Sequence, residues 1–286
     1  MKTVKGLHEK MGTFENANTS FHQAARCKRY TNEVLAFSMV KEEELLRATE
    51  EIQNLTYRQG EYKIFKVFEP KERLIMALPF YDRVVQHMIC NAIQPVFENG
   101  FYYHSYACRS GKGMHAASDT LYQWMYETEV KQGLRMYAFK GDISKYFASI
   151  PHDKLKDENR RHIGDRKALV LMDDIIDHNG ILPDGVGIPV GNLTSQLFAN
   201  VYGNKLDKFC KHVLHIPYFV RYMDDFIILS DDLEQLKEWV KRIEEFLENE
   251  MLLHINPKST ILYAGNGIDF CGYIHYADHK KVRKSS

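Results

Sequence analysis

Two periods of apolar residues alternate along the chain. In residues 41–55 (KEEELLRATEEIQNL) apolar side chains recur every three or four positions between glutamates, which predicts a surface helix. Residues 62–68 (YKIFKVF) alternate polar and apolar side chains, which predicts a strand. A turn at residues 69–72 (EPKE) and a second short strand at residues 73–76 (RLIM) follow, so this region predicts two strands joined by a turn.

Helices and strands are interleaved through the rest of the chain. Helical spacing predicts helices over residues 82–98, 114–129, 166–177, 195–210 and 233–249, and Pro95 should end or kink the first of them. Strands are predicted over residues 135–140, 252–255, 259–263 and 269–275, with two more around a tight turn in residues 218–230. The strongest hairpin is local, which predicts an α+β fold: an antiparallel sheet with helices on one face.

Two adjacent carboxylates occupy the tip of that hairpin. In residues 218–230 (YFVRYMDDFIILS), Asp224 and Asp225 stand between apolar strands that must be buried. Folding brings these like charges together beside a low-dielectric core, which costs several kcal/mol unless cations compensate. A solvated turn is the alternative, and this segment by itself does not exclude it.

A third aspartate changes that balance. The predicted strand at residues 135–140 leads directly to Gly141 and Asp142, and aromatic residues follow. Phosphoryl transfer with two Mg²⁺ ions needs carboxylates from separate strands, which hold the ions roughly 3.5–4 Å apart. A lone aspartate at a strand end is usually a cap or a turn residue. Its combination with Asp224, Asp225 and a glycine-rich loop between them indicates this two-metal chemistry.

The sequence Tyr222-Met-Asp-Asp225 is the signature of reverse transcriptases, and the chain resembles that family over residues 26–276. The resemblance implies a right-hand polymerase with fingers and palm, in which the thumb is missing or vestigial. It also implies RNA-directed DNA synthesis with two Mg²⁺ ions, for which Mn²⁺ can substitute. The partners would be an RNA template, a DNA or RNA primer and dNTPs, with a structured non-coding RNA and a basic accessory protein as further partners.

The resemblance assigns roles to individual residues. The catalytic residues would be Asp142, Asp224, Asp225 and Lys258, and the metal ligands Asp142, Ile143, Asp224 and Asp225. The substrate-binding residues would be Lys71, Arg73, Phe147, Val190, Gly191 and Gln196, and the nucleic-acid-binding residues Arg109, Lys112, Tyr222, Met223, Gly272 and Tyr273. Among these, Lys258 would protonate pyrophosphate and Phe147 would reject a ribose 2′-hydroxyl. Lys71 and Arg73 would grip the triphosphate. Residues 270–273 (FCGY) resemble the primer grip. A core position for Phe147, a surface position for Lys258 and a simple turn at Gly272 are the structural alternatives.

The chain departs from the family pattern at Val190. The usual pattern has a glutamine between the proline and the glycine, where it contacts the incoming nucleotide. The run Gly191-Asn-Leu-Thr-Ser-Gln196 and residues 101–113 (FYYHSYACRSGKG) are similar to the reverse transcriptases of diversity-generating retroelements. That resemblance implies misincorporation opposite template adenines. An apolar side chain in place of glutamine removes polar contacts to the nascent pair, which is a physical route to low fidelity.

The loop at residues 105–113 combines glycines with Arg109 and Lys112. Such a loop lets backbone and cations approach phosphates, but it matches no nucleotide-binding fingerprint. A flexible surface loop is the alternative.

The domain organisation predicted from the sequence is an N-terminal extension with fingers and part of the palm (1–135), a palm with catalytic motifs and primer grip (136–276), and a basic tail or start of a thumb (277–286).

Composition alone does not suggest a polymerase. Lys plus Arg and Asp plus Glu both number 38, so the formal charge is zero, whereas nucleic-acid binders usually carry a basic excess. The charge is distributed unevenly: residues 26–29, 63–73 and 280–284 are basic, and residues 231–250 are acidic. A basic cleft or a basic partner would resolve the conflict. The five scattered cysteines and the absence of a long apolar run predict a cytoplasmic protein with no membrane partner. The resemblance to the enzymes of diversity-generating retroelements implies that it is bacterial or phage-encoded.

Three other functions remain open on the sequence. A reverse transcriptase of an antiphage (antiviral) defence system would share the same core motifs. A nucleotidyl cyclase could use a similar sheet, but its Gly-Gly-Asp/Glu-Glu-Phe hairpin is absent. A non-catalytic RNA-binding scaffold would have no physical need to keep repelling carboxylates together.

Overall fold

A computed structural model describes residues 3–68 and 72–284. In that part of the chain the helices are α1 (Leu7–Met11), α2 (Phe14–Ala24), α3 (Asn32–Met39), α4 (Lys41–Gln53), α5 (Phe80–Glu98), α6 (Met114–Met125), α7 (Tyr146–Ser149), α8 (His152–His162), α9 (Arg166–Asp177), α10 (Leu193–Lys208) and α11 (Leu233–Glu250). The strands are β1 (Lys63–Phe68), β2 (Glu72–Ala77), β3 (Tyr137–Asp142), β4 (Tyr218–Tyr222), β5 (Asp225–Ser230), β6 (Thr260–Tyr263), β7 (Ile268–Phe270), β8 (Tyr273–His275) and β9 (Lys280–Val282). Among the described helices, none is both long and apolar enough to cross a membrane.

The chain folds into two compact units, each built from two segments. Unit 1 comprises Met1–Gly100 and Pro151–Val201, and unit 2 comprises Phe101–Ile150 and Tyr202–Ser286. Unit 1 contains the hairpin β1–β2, and unit 2 contains a four-stranded and a three-stranded sheet. The assignment of contiguous segments 1–135, 136–276 and 277–286 to fingers, palm and thumb stays a prediction.

Helix α5 is the centre of unit 1. It packs against α1, α2 and α3, and its side chains Val84, Met88 and Ile93 are fully buried. The helix predicted over residues 82–98 is confirmed and ends at Glu98; of the two effects predicted for Pro95, it does not end the helix, because α5 continues for three residues past it. Proline has no N–H, so α5 lacks the single hydrogen bond that residue 95 would donate to the carbonyl of Asn91.

Strands β1 and β2 form an antiparallel hairpin in unit 1. Their register pairs Lys63 with Ala77 and Phe68 with Glu72, which confirms both predicted strands. The predicted turn at residues 69–72 falls mostly outside the described residues. The side chains of β1 are largely exposed, so its alternating pattern does not mark a buried face.

Unit 2 is built around the antiparallel sheet in the order β4-β5-β3-β6. Helix α6 packs on β4, and Leu121 of α6 shares one apolar cluster with Ile227 and Leu229 of β5. Because side chains alternate along a strand, Phe226 and Ile228 point to the opposite face, and both are fully buried as well. The prediction of helices on one face of the sheet is therefore incomplete, because β5 is buried on both.

Several elements differ from the sequence prediction. The sequence analysis did not predict helices α1–α3, α7 and α8. Helix α8 (HDKLKDENRRH) contains one strongly apolar residue, Leu155, and it also buries the polar side chains of His152 and His162. Polar side chains fill that buried face, so apolar periodicity could not reveal the helix. The strand predicted at residues 252–255 is wrong, since this segment is irregular and forms an isolated bridge between Ile255 and Ile143.

The buried His275 should make unit 2 sensitive to acid. Its ring nitrogens contact the Ile268 carbonyl at 3.0 Å and the Ser118 hydroxyl at 2.8 Å. Burial lowers the pKa of His275, the Ile268 carbonyl opposes this, and the nearby Lys280 lowers the pKa further. The unfolded chain therefore takes up the proton first as the pH falls, so the stability contribution is present above about pH 6.5 and is lost below it.

We expect the melting temperature of the wild type to fall more steeply between pH 7.5 and 5 than that of His275→Gln. Glutamine keeps polar contacts at this position without titrating. Thermal unfolding of both proteins across this range measures the difference, and parallel pH profiles would contradict the assignment. His279→Gln, at an exposed histidine, is the matched control.

Candidate active site

The aspartates singled out in the sequence meet at one end of the four-stranded sheet. Asp142 ends β3 and Asp225 begins β5, and the antiparallel register places the two residues directly opposite each other. Opposed Cα atoms in such a pair lie about 4.5–5.5 Å apart. Asp224 immediately precedes β5, and its backbone carbonyl accepts a hydrogen bond from the Ile143 amide at 3.2 Å. The fold thus gathers three carboxylates from two strands.

The turn between β4 and β5 needs a strained backbone. Tyr222 pairs with Asp225, which leaves Met223 and Asp224 as a two-residue connection. Met223 has φ 59°, a left-handed conformation that is uncommon for a residue with a side chain. Its side chain is also buried. Outliers of this kind cluster at functional sites, where the surrounding structure holds them in place.

The electrostatics of the site favour a cation. Burial, together with Asp224 and Asp142, raises the pKa of Asp225 to about 6, and Lys140 only partly opposes the rise. The carboxylates therefore repel one another in a partly desolvated place. A divalent cation would reduce this penalty, because Lys140 compensates only part of the negative charge.

The oxygen atoms of the three aspartates suit Mg²⁺ if substrate phosphates and water supply its remaining ligands. Within residues 3–68 and 72–284, no group of three His, Cys, Asp or Glu side chains forms a ready-made metal cage. Mg²⁺ is usually held by one or two carboxylates plus substrate phosphates and water, so a complete protein cage is not required. Asp142, Asp224 and Asp225 offer hard oxygen donors of the right type. Ile143 is buried beside them and forms the bridge to Ile255.

A loop that follows α11 holds Asp142 in place. The Asn256 side-chain amide donates to Asp142 Oδ2 at 2.6 Å, and the Asn256 backbone amide donates to the Asp142 carbonyl at 2.7 Å. The Asp142 amide donates in turn to Ser259 Oγ at 3.0 Å. The Lys258 amide donates to Asn256 Oδ1 at 3.1 Å, so Asn256 links the aspartate to the predicted proton donor. Sequence reasoning missed Asn256 and Ser259, although they flank Lys258 in the sequence.

Asn256→Ala should lower any activity that depends on Asp142 by about 10- to 100-fold, the usual cost of losing a hydrogen bond to a metal ligand. The reason is that Asp142 loses the group that orients its carboxylate. Steady-state rates of wild type and variant measure the effect, and Asn249→Ala, at an exposed position of α11, is the control. Equal rates for Asn256→Ala and wild type would show that Asp142 needs no such support.

The other residues predicted in unit 2 occupy distinct positions. Lys258 is exposed, and Phe147 is half-buried in α7 with its ring 6.0 Å from that of Tyr146. Gly272 has φ 80° and Cys271 φ 49°, and these two residues connect β7 to β8 in a tight hairpin. Two successive positive φ values are typical of a type I′ turn, which explains the glycine. Tyr273 then begins β8, and its hydroxyl contacts His115 Nδ1 at 3.0 Å.

Arg109 and Lys112 organise their own loop. Arg109 Nη1 donates to the carbonyls of Tyr102 and Ser105, both at 2.7 Å. Lys112 Nζ donates to the Tyr103 carbonyl at 3.0 Å and lies 3.5 Å from the centre of the Tyr103 ring. The loop is therefore internally bonded through these cations, and their role in binding nucleic acid stays a prediction.

The remaining predicted substrate residues lie in unit 1. Arg73 is exposed on β2, and Lys71 lies outside the described residues. The Met76 amide of β2 donates to the Val190 carbonyl at 3.0 Å. Gly191 has φ 117°, and a Cβ there would lie 3.1 Å from Ile75 Cγ2, so glycine lets this segment pack closely on β2.

Gly191 and Gln196 also line a basic cavity of about 230 Å³ in unit 1. Its walls are Gln23, Ala24, Arg26, Lys28, Arg83, Gln86, His87, Gly191, Leu193 and Gln196. Cationic and amide side chains dominate, and no acidic side chain is among these wall residues. The neutral chain thus places local positive charge beside two residues that sequence analysis had selected for substrate binding.

Comparison with known proteins decides the family. The model of the family described as reverse transcriptase (RNA-dependent DNA polymerase) matches residues 66–275. The chain belongs to the reverse transcriptase family. This confirms the family resemblance proposed from Tyr222-Met-Asp-Asp225, whereas the assignment to the diversity-generating type stays a prediction.

Two individual proteins are similar to this chain in sequence. The protein YkfC of Escherichia coli strain K12 is 25% identical over 251 residues, which cover 72% of this chain and 62% of that protein. An uncharacterized 91 kDa protein in the cob intron of Schizosaccharomyces pombe is 29% identical over 137 residues, 46% of this chain and 16% of that protein. The chain thus spans less than two thirds of either relative.

A solved structure supports the fold. Apo telomerase from Candida tropicalis superposes with a TM-score of 0.58 at 12% identity, covering 78% of this chain and 48% of the telomerase chain. At that identity the likeness concerns the fold. It confirms the α+β architecture with palm and fingers that was predicted for this reverse transcriptase.

Proposed function

We propose that this reverse transcriptase extends a primer along an RNA template by two-metal nucleotidyl transfer from dNTPs. The observation that carries the proposal is the opposition of Asp142 and Asp225 beside Asp224, with the pKa of Asp225 raised to about 6 by burial and by its acidic neighbours. When bound, two Mg²⁺ ions would activate the primer 3′-hydroxyl and stabilise the leaving pyrophosphate. Mn²⁺, which also prefers oxygen ligands, would serve as a substitute.

The protein groups around the aspartates would serve orientation, proton transfer and selection. Asn256 holds the Asp142 carboxylate and anchors the backbone of the exposed Lys258, which would protonate the leaving pyrophosphate. Phe147 would exclude a ribose 2′-hydroxyl through its bulk. Gly272 and Tyr273 would support the primer. The roles of Lys258, Phe147, Gly272 and Tyr273 require direct contact with substrate and are therefore part of the proposal.

The basic cavity in unit 1 answers the objection raised by the zero net charge. Arg26, Lys28 and Arg83 line it; because Arg83 is ion-paired with Glu33, the positive charge that could neutralise phosphates there comes from Arg26 and Lys28. Binding of template and dNTP should accordingly weaken as the salt concentration rises. A basic accessory protein and a structured RNA would add contacts that the neutral chain lacks.

Primer extension tests the function directly. The purified protein is incubated with a labelled DNA primer on an RNA template, dNTPs and Mg²⁺, and the products are sized and sequenced. Template-complementary DNA that requires both the primer and dNTPs supports the proposal. A product made from nucleotides without primer would favour a cyclase, and RNA binding without any extension, with Mn²⁺ and cognate RNA also tried, would favour a scaffold.

A second proposal concerns fidelity and follows from Val190. We propose that the enzyme is error-prone, as in diversity-generating retroelements, because Val190 supplies no polar contact to a nascent pair. The Val190 side chain is half-buried, and its backbone is tied to β2 through Met76. A substitution should thus change the side chain while the packing of the segment on β2 is retained.

Val190→Gln should reduce misincorporation opposite template adenine by about 10-fold or more, the size of effect expected when a polar contact discriminates between substrates. Sequencing of cDNA copied from a defined RNA measures the error spectrum. Val170→Gln, at an exposed position of α9, is the control. An unchanged spectrum in Val190→Gln would remove the physical basis for this subtype. An enzyme serving antiphage defence, the alternative, would lack a template and variable repeat pair near its gene.

A further inference from the structure

A buried ion pair stands next to the turn that carries Asp224. Arg221 of β4 and Asp207 of α10 have fully buried side chains. Arg221 Nε contacts Asp207 Oδ1 at 2.6 Å, and Nη2 contacts Oδ2 at 2.7 Å, so the guanidinium and the carboxylate meet with two parallel hydrogen bonds. This bidentate geometry fixes the plane and the position of the guanidinium.

The other donors of Arg221 reach the backbone and a loop. Nη1 donates to the carbonyl of Met223 at 2.8 Å, and Nη2 donates to Ser105 Oγ at 3.0 Å. Met223 is the residue with φ 59° that directly precedes Asp224. A single guanidinium therefore connects α10, the loop at Ser105 and the strained peptide that presents Asp224.

The chain leaves room for this group at Gly203. A Cβ on Gly203 would lie 2.6 Å from Arg221 Nη1, 2.8 Å from Arg221 Cζ and 2.9 Å from the Tyr146 hydroxyl. Contacts that short would force the guanidinium to move. A helix-interior glycine costs up to about 1 kcal/mol relative to alanine, so its presence in α10 is explained by the space that Arg221 occupies.

Neither lysine nor an apolar side chain could replace Arg221 in this role. Lysine presents a single ammonium, whereas the planar guanidinium donates simultaneously to Asp207, Met223 and Ser105. A buried ion pair is also a weak source of stability compared with well-packed apolar residues. Burial opposes the charge of Arg221, but Asp207, Tyr146 and Asp224 together raise its pKa, which places the negative charge of Asp224 within the field of the guanidinium.

We propose that Arg221 is a positioning residue: seated on Gly203 and held by Asp207, it locks the Met223 carbonyl and thereby orients Asp224 for the divalent cation. This inference rests on the proposed function, since it concerns how the same aspartates are presented. The Arg221 side chain is fully buried, so it is not accessible to a substrate. Its effect reaches the reaction through the backbone of Met223.

Three substitutions test whether Arg221 positions Asp224. Arg221→Lys keeps the positive charge but loses the planar guanidinium and its several donors. Gly203→Ala keeps Arg221 and Asp207 but displaces the guanidinium, and Asp207→Asn removes the carboxylate that holds it. We expect each purified variant to extend primers at least 10-fold more slowly, with KM for dNTP within about 3-fold of wild type. Arg242→Lys, on the exposed face of α11, should behave as wild type.

Direct cation binding separates positioning from general damage. Mn²⁺ binding to the protein without nucleic acid or dNTP is measured by electron paramagnetic resonance, together with the melting temperature without metal. Positioning predicts at least 5-fold weaker Mn²⁺ binding in Arg221→Lys and Gly203→Ala. A merely structural role predicts a lower melting temperature with unchanged Mn²⁺ affinity per folded molecule, and that result would overturn the proposal.

The positioning role of Arg221 and the proposed function can still be judged separately if one variant does not fold or if no primer is extended. If Arg221→Lys does not fold, Gly203→Ala tests the proposal by itself. A wild-type kcat together with a wild-type Mn²⁺ affinity in Gly203→Ala would overturn the positioning role of Arg221. If the wild type extends no primer, the proposed function fails, but the Mn²⁺ comparison still decides whether Arg221 orients Asp224.

Discussion

Asp224→Asn should abolish primer extension, with a fall of about 10³-fold or more in kcat. The amide retains the size of the side chain but is a poor ligand for a divalent cation. Losing about 4 kcal/mol of transition-state charge stabilisation corresponds to about 10³-fold in rate. The rate of single-nucleotide addition, measured with saturating RNA template and primer, reports this loss without interference from processivity.

Folding should survive the same substitution. Asp224 raises the pKa of Asp225, so removing its charge relieves repulsion at the end of the sheet. We therefore expect the melting temperature of Asp224→Asn, without metal, to equal or exceed that of wild type. Asp231→Asn, at an exposed position after β5, should leave both rate and stability unchanged. Undiminished extension by Asp224→Asn would contradict the assignment of this carboxylate to the metal.

Gly141→Ala should be the most destabilising methyl addition in the sheet. Gly141 of β3 lies opposite Phe226 of β5, and a Cβ there would lie 2.6 and 2.7 Å from Phe226 Cε2 and Cε1. Both residues are buried, so neither the ring nor the strand can yield into solvent. Overpacking of this kind costs about 1–3 kcal/mol, which for a chain of this length lowers the melting temperature by about 2–12 °C.

Activity should suffer beyond the loss of stability, because any shift of β3 against β5 also separates Asp142 from Asp225. A double-mutant cycle isolates the clash: Phe226→Leu is destabilising by itself, but it should reduce the penalty of adding Gly141→Ala. Strictly additive melting shifts would show that the ring is not the obstacle. Gly100→Ala, where the nearest atoms to an added Cβ lie at 3.5 and 3.6 Å, is the control.

Local patterns were sufficient for much of the fold. The apolar run in residues 226–229 between Asp225 and Ser230 specified a buried strand, and the Met223–Asp224 connection specified a tight hairpin, both of which are present. Helix α9 was predicted with its observed bounds because its apolar side chains recur with helical spacing. Helix α8 escaped prediction because its buried face is polar, and such a face is stabilised by partners that lie far away in sequence.

The candidate site could be predicted from the sequence only in part. Asp142, Asp224 and Asp225 could be selected together because two-metal chemistry requires carboxylates from separate strands. Asn256, Asp207 and Arg221 could not, since their importance lies in hydrogen bonds that form only in the folded protein: Asn256 donates to Asp142, and Arg221 donates to Asp207 and to the Met223 carbonyl. An asparagine before a proline and an arginine in a strand have many ordinary explanations in a sequence.

The sequence by itself determined the chemistry: which carboxylates are available, which family the chain belongs to, and where Val190 departs from the pattern. The tertiary structure decided how that chemistry is held. It set the register that opposes Asp142 to Asp225, placed Asn256 on the Asp142 carboxylate and seated Arg221 against Gly203. The physical reason is that charge and spacing are properties of residue types along the chain. Orientation to within a hydrogen bond, in contrast, arises only where segments that are separated along the chain pack together, as Asn256 does on Asp142 and Arg221 on Asp207.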